Sequence, residues 1–266
     1  MKIEKTRVYG LEPALRGMRN ARESWDKSDS TFFEPGPYKA SSVYDPEIVA
    51  LEYPVLGPED LKLANTLVMA GGSERKFLRQ IQVWADLTLP RYIWVDWDTY
   101  KIATVRNSCG SMFHLGHRDL TPSDFQDEVV EPEALALLNL MGAAYRTKQP
   151  WEGKSGNGLM RHMKQRLPEG FLQTSTYSFN YENALTMYFD REYHRSREFS
   201  GRGGLCEWLL RLPYLRDFVE ALRTKKQVPM VLSAQLRTAL EERDQARKEL
   251  AELQATSFRP IETPED

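Results

Sequence analysis

The chain has 266 residues, of which 41% are hydrophobic, 28% charged and 11% aromatic. That balance is globular and excludes a chain disordered throughout. Its 36 basic and 38 acidic residues leave a net charge of −2, so no global basic field exists to hold a nucleic acid polymer, although a few placed arginines suffice for one nucleotide phosphate. With only Cys109 and Cys206 and no C-x-x-C spacing, a disulfide framework is excluded and reduced thiols in a cytoplasmic compartment are expected. The charged start MKIEKTRVYG and the lack of eighteen consecutive apolar residues argue against a secretory signal or a membrane span.

In chain order, residues 1–57 are punctuated by Pro35, Pro37, Pro46 and Pro54 and read as an irregular wrap with short helical stretches. Pro58, Glu59 and Asp60 then open a helix carrying Leu61, Leu63, Ala64, Leu67 and Val68, which Gly71-Gly72 ends. Residues 81–89 alternate Ile81, Val83, Ala85, Leu87 and Leu89 with polar or bulky partners, the period of a strand with one buried face, closed by Pro90. The following PRYIWVDWDTYKIATV has a strand-like composition but a helix-like proline start.

Further helices are expected at about 122–129, 132–147, 157–166, 180–195 and 204–223, and a charged amphipathic helix over 233–254. The implied division is 1–57 as wrap, 58–228 as core and 229–266 as helix and tail. His114 and His117 form H-x-x-H, but Leu115-Gly116 favours a loop there and no third ligand accompanies them, so no metal is expected. Gly201-Arg-Gly-Gly204 reads either as an anion-cradling turn or as plain punctuation.

Two patches carry a resemblance. Phe77 to Met112 can be laid without a gap on a pattern in which a strand ends at a proline, a helix follows, and the signature R-H-R-x-x-S-x-N-E-x-S-x-R-Y comes next. Lys101 then stands for the second arginine, Thr104 for the first serine and Cys109 for the second. Tyr100 replaces the histidine, Arg106-Asn107 the Asn-Glu pair and Ser111 the late arginine. In NYENALTMYFDR, Asn180, Leu185 and Arg191 recur at the spacing of N-x-R-x-x-x-x-F-x-x-x-R, with Glu182 at the arginine and Met187 at the phenylalanine. Together the patches cover about a fifth of the chain, and they resemble the flavin-dependent thymidylate synthases.

The resemblance implies an α+β fold of the thymidylate-synthase-complementing type, mainly an antiparallel sheet flanked by helices, with 91–103 helical. It implies FAD as cofactor, NADPH and methylenetetrahydrofolate as co-substrates, and transfer of a one-carbon unit to a pyrimidine deoxynucleotide such as dUMP. Arg191, Asn107 and Cys109 are then the substrate candidates, and Lys101, Thr104, Asn180, Gln80 and Arg79 the flavin candidates, while no catalytic residue is assigned. A homotetramer is implied too, with Trp94 and Trp97 as interface anchors. If Arg191 holds a phosphate, its replacement is expected to change folding little, because an arginine held for binding need not hold the core together. Against these stand plainer readings: Arg191 as a solvated or paired arginine, Cys109 as a small buried thiol, and Lys101 and Thr104 as helix-end decoration. A non-catalytic descendant of the fold, or an interaction protein using the 233–254 helix, are the competing functions.

Overall fold

The computed structural model describes residues 1–33, 48–50 and 55–225, together with positions 238, 243, 245 and 249. Residues Met1–Val219 form one compact unit and Glu220–Asp266 a second. The helix expected over 233–254 lies outside the described residues except at those four positions, which are helical.

The first unit is organised by a five-stranded sheet in the order β2-β1-β3-β5-β4. Its strands are β1 (Lys2–Tyr9), β2 (Ile48–Ala50), β3 (Gln82–Pro90), β4 (Val105–Ser108) and β5 (Leu172–Asn180). Only β1 with β2 is parallel; β1–β3, β3–β5 and β4–β5 are antiparallel. The expected α+β fold with a mainly antiparallel sheet is what forms. The irregular reading of the first residues needs correcting, since 2–9 form a full strand beside β3. Its sequence KIEKTRVY alternates too weakly to announce a strand, and it gains its hydrogen bonds only from a partner far along the chain.

On β3, Val83, Ala85, Leu87 and Leu89 point inward and are buried, while Trp84, Asp86 and Thr88 point outward. Phe179, Tyr177 and Ser175 of β5 face the same interior in register with Val83, Ala85 and Leu87. The helix α3 (Arg91–Trp97) adds Ile93, Trp94 and Trp97 to that core. Trp97 meets Tyr177 at 6.0 Å and stacks on Phe199 at 5.9 Å between ring centroids. Trp94 and Trp97 are therefore core residues of the subunit, 2% and 0% exposed, and cannot serve as surface anchors for an oligomer.

The helix expected over 91–103 stops at Trp97. Ala103 takes a positive φ of 55° and Thr104 Oγ1 donates to Tyr100 O at 2.5 Å, after which Val105–Ser108 leaves as the edge strand β4. The β-branched residues at 102, 104 and 105 favour that outcome.

Helix α1 (Leu11–Gly17) follows β1, and α2 (Pro58–Ala70) opens on proline as expected. The amides of Glu59 and Asp60 are capped by the Asp29 carboxylate at 2.9 and 3.0 Å. A Cβ on Gly57 would lie 2.2 Å from Asp29 Cγ, so glycine is required where that cap approaches. The buried Arg19–Asp60 pair, 2.7 Å from Nε to Oδ1, and the Ser28 and Ser30 hydroxyls fix the same corner. Burial alone would raise the Asp60 carboxyl, but these bonds and the Arg19 charge outweigh it and hold it below the usual range.

A helical lobe interrupts the sheet between β4 and β5. It consists of α4 (Ser111–His117), α5 (Pro132–Arg146) and α6 (Gly156–Arg166) around Leu115, Leu138, Met141, Leu159, Met163 and Phe171. Gly142 and Gly116 let α4 and α5 approach: a Cβ on the first would sit 3.2 Å from Leu115 O, and on the second 3.1 Å from the Tyr145 ring. The helix expected at 122–129 is two short 3-10 turns instead, because Asp127 and Glu128 both take positive φ. After β5 come α7 (Tyr181–Arg191), α8 (Arg197–Ser200) and α9 (Leu205–Leu209). The single helix expected over 204–223 is broken at 210–214, where Pro213 and the positive φ of Tyr214 interrupt it.

Candidate functional site

The two patches that carry the resemblance lie far apart in sequence and pack against each other. Asn183 Nδ2 of α7 donates to Ile102 O at 2.9 Å, fastening the turn after α3. At the other end of α7, Arg191 Nε donates to Tyr100 Oη at 3.2 Å and Nη2 to Asp96 O at 3.3 Å. Its guanidinium lies 4.8 Å from the Phe199 ring centroid, and a cation in the last helical turn suits the carbonyl end of the dipole. Tyr100 Oη in turn donates to Asp190 Oδ2 at 3.3 Å. Burial first, and then Asp190, raise the Tyr100 phenol above its ordinary value, with Arg191 opposing. The phenol therefore stays protonated and donating. No carboxylate closes an ion pair with Arg191 among the described residues, so its charge is oriented but not neutralised.

Arg106 contrasts with it. Its three nitrogens donate to Ser175 Oγ at 3.0 Å, Asp98 Oδ2 at 2.6 Å and Gln173 Oε1 at 2.9 Å, and its carbon lies 3.8 Å over the Trp94 ring. It staples the edge strand β4 to β5, with every nitrogen engaged and its charge paired with Asp98.

The remaining candidates fall in two groups along β5. Asn180 caps α7, its Oδ1 accepting from Asn183 N at 2.9 Å, and pairs in register with Gln82. Arg79 and Gln80 are exposed on the turn before β3, Arg79 donating to Gly72 O at 3.1 Å. That turn is tied to the start of α7 by Arg75 and Glu182 at 2.5 Å. Thus at the family's arginine position the charge is inverted and then balanced by Arg75. The Arg75 Nε and Glu182 Oε2 atoms are buried without a hydrogen-bond partner, a donor and an acceptor left over.

Lys101 is exposed and makes no ion pair among the described residues, whereas Thr104 already spends its hydroxyl on Tyr100 O. Asn107 lies opposite Thr176, whose hydroxyl donates to Asp86 Oδ1 at 2.6 Å, and Cys109 N donates to Thr174 O at 2.9 Å. Six residues of strand separate Thr174 from Asn180, about 20 Å, so Cys109 and Asn180 are not neighbours. Cys109 is exposed, against the buried-thiol reading; its Sγ lies 4.0 Å from His114 Nε2. His114 and His117 share the helix α4, not a loop, but His117 Nδ1 donates to Phe113 O at 2.7 Å and the rings have separate partners. Among the described residues no three His, Cys, Asp or Glu side chains are placed to share a metal ion.

The Gly201–Gly204 turn is filled by the chain itself: Gly203 N donates to Glu207 Oε2 at 2.6 Å. A Cβ on Gly204 would come within 2.7 Å of Gly201 O, so the glycine answers to packing. Beside it a cleft of about 320 Å³ is lined by Tyr188, Glu192, Arg202 and Cys206 among others. Burial pushes the Cys206 thiol up to about 12, which makes it an inert core thiol.

Tyr100 and Asp190 are the members that sequence reasoning did not assign, although the signature placed Tyr100 at the histidine. The signal was spacing: Asp190 adjoins Arg191, but only the tertiary fold sets Tyr100 between them.

No protein-family model and no curated protein matches this chain. Among solved structures, thymidylate synthase X from Helicobacter pylori with FAD and dUMP superposes with a TM-score of 0.55 at 13% identity, covering 84% of this chain and 99% of that one. A second structure of the flavin-dependent enzyme from that organism, complexed with FAD and dUMP, gives 0.48 at 12% identity over 84% and 92%. No helix among the described residues is long and apolar enough to cross a membrane. The first superposition, nearly complete over the other chain, establishes that this protein is similar in fold to flavin-dependent thymidylate synthase X.

Proposed function

We propose that this chain is a flavin-dependent transferase acting on a pyrimidine deoxynucleotide, dUMP or a close relative, with methylenetetrahydrofolate as one-carbon donor and NADPH as reductant. The observation that carries this reading is Arg191: a cation with no ion-pair partner among the described residues, held in place by Tyr100, the Asp96 carbonyl and the Phe199 ring. A phosphate needs such a donor fixed in advance, because orienting a free arginine on binding costs side-chain entropy. Asn107 and Cys109, on the open edge of the sheet, would meet the rest of the nucleotide.

The residues present fit a flavin dinucleotide in donor chemistry. Arg79 and Lys101 offer exposed cations and Gln80 an exposed amide; Asn180 keeps only its amide nitrogen beyond the cap it makes, and Thr104, whose proton goes to Tyr100 O, could only accept; the orphaned Arg75 Nε and Glu182 Oε2 are a donor and acceptor for a polar ligand. Glu182 would repel phosphate were its charge not balanced by Arg75. When bound, the flavin supplies the redox chemistry of the transfer. The chain's own residues bind and orient, and Tyr100, held neutral, keeps a proton beside the Arg191 cation. A homotetramer belongs to the same reading.

Inversion of charge at Glu182 and pairing of Arg106 with Asp98 favour a second reading, a nucleotide-binding descendant without catalysis. The absorbance spectrum of the purified protein and calorimetric titration with dUMP separate the two. The first expects a flavin spectrum and a loss of roughly ten- to a hundredfold in dUMP affinity in Arg191→Ala, the worth of a charged hydrogen bond. Binding of dUMP without flavin would leave the second, and equal affinity in the variant would remove Arg191 from the site.

A further inference from the structure

The helical lobe holds a cleft of about 760 Å³ lined by Gly116, His117, Tyr145, Arg146, Lys148, Ser155 and Gly156. It shares no residue with the Tyr100–Arg191 cluster, and its volume lies within the range of small-molecule sites. Every ionisable lining side chain other than the tyrosine is basic. The carboxylate beside it, Asp119, is already taken by Arg146 Nη2 at 2.5 Å. Arg146 Nη1 is buried and finds no acceptor among the described residues, so the wall contains an orphan donor. Lys148 is exposed and makes no ion pair there. His117 gives its Nδ1 hydrogen to Phe113 O, which leaves Nε2 as its free polar atom. Opposite, α6 begins at Ser155, whose side chain provides no cap. The first amides of that eleven-residue helix consequently add positive dipole to the same wall.

We propose that this cleft binds a phosphate group, carried by a small phosphate ester or as the free ion. Phosphate suits the arrangement because its several oxygens can take hydrogen bonds at once from Lys148 and the backbone at Gly156, and from His117 Nε2 when that ring carries its second proton. A polymer is disfavoured by the net charge of −2. A volume of about 760 Å³ gives an ester room for its organic part, which Tyr145 would flank.

The test is calorimetric titration of the full chain with inorganic phosphate, with ribose 5-phosphate and with dUMP, repeated on Lys148→Gln, His117→Gln and the double variant. Circular dichroism checks that each variant is folded. Saturable binding of at least one of the three is expected, weakened about tenfold by each single change; for inorganic phosphate and ribose 5-phosphate it does not change in Arg191→Ala. Binding of free phosphate as tightly as of the esters would identify the ion as the ligand; preference for an ester would identify an organic phosphate. Absence of binding by all three, or unchanged affinity in the folded double variant, overturns the proposal. Loss of dUMP binding in Arg191→Ala belongs to the sheet-side reading and leaves this one standing, whereas binding of phosphate or ribose 5-phosphate lost in Arg191→Ala but retained in the lobe variants overturns it.

Discussion

The sheet-side cluster and the helical-lobe cleft both present cations, but they hold them by opposite means. Arg191 is set by two hydrogen bonds and an aromatic face that belong to the core. Lys148 sits at the mouth of its cleft on a left-handed backbone, φ 56°, at the end of α5. There Gln149 N reaches back to Ala144 O at 2.9 Å and Lys148 N to Tyr145 O at 3.2 Å, the closing pattern in which glycine is the usual residue. A cation integrated into the core contributes to folding as well as binding. One on a strained turn opposes folding, and only a ligand gives it value. The two sites are thus distinguishable by the sign of their stability effects.

The largest expected effect comes from removing the scaffold of the first region. Trp97 is fully buried against Tyr177 and Phe199, so Trp97→Ala should cost about 3–5 kcal/mol in urea denaturation, from lost burial and the cavity left behind. A cost under about 1 kcal/mol, the range of surface changes, would mean that α3 does not organise the cluster.

Next, Arg191→Ala should cost about 1–2 kcal/mol of stability in addition to nucleotide affinity, because Tyr100 Oη and Asp96 O lose their donor. The sequence expectation that folding would change little, because an arginine held for binding need not hold the core together, is the alternative that the same denaturation curve decides. Equal denaturation midpoints for the variant and the parent would show the arginine to be solvated and would dissolve the contrast between the regions.

The smallest effect has the opposite sign. Lys148→Gly relieves a left-handed lysine and should raise stability by about 0.5–1 kcal/mol, after allowance for the added freedom of glycine in the unfolded chain. A thermal midpoint below that of the parent would show that Lys148 makes a stabilising contact, and the two cations would then be alike.

Much of the fold was legible in the sequence where a local pattern decides. The alternation over 81–89 gave β3 to within a residue, because one face of that strand is buried and the other is not. Pro58 and the acids after it marked the start of α2, and a helix was expected where α7 forms, although its Asn180 cap was not. What spacing could not reveal is what distant partners supply. The cap of α2 is Asp29, thirty residues upstream, and β1 is a strand because β3 lies beside it.

The same limit applies to the sites. Sequence placed Arg191, Asn180 and Lys101 in motifs, but whether a guanidinium is oriented or paired depends on neighbours up to 95 residues away. Arg106 and Arg191 are the same residue type, and only the fold pairs the charge of one with Asp98 and leaves the other without an ion pair among the described residues. The cleft of the helical lobe had no local signature, because its lining comes from three helices and a turn that meet only after collapse. Local periodicity is set by the backbone's own geometry and is therefore written in the sequence. Charge compensation depends on which side chains come within a few ångströms, and that is decided only when the chain closes on itself.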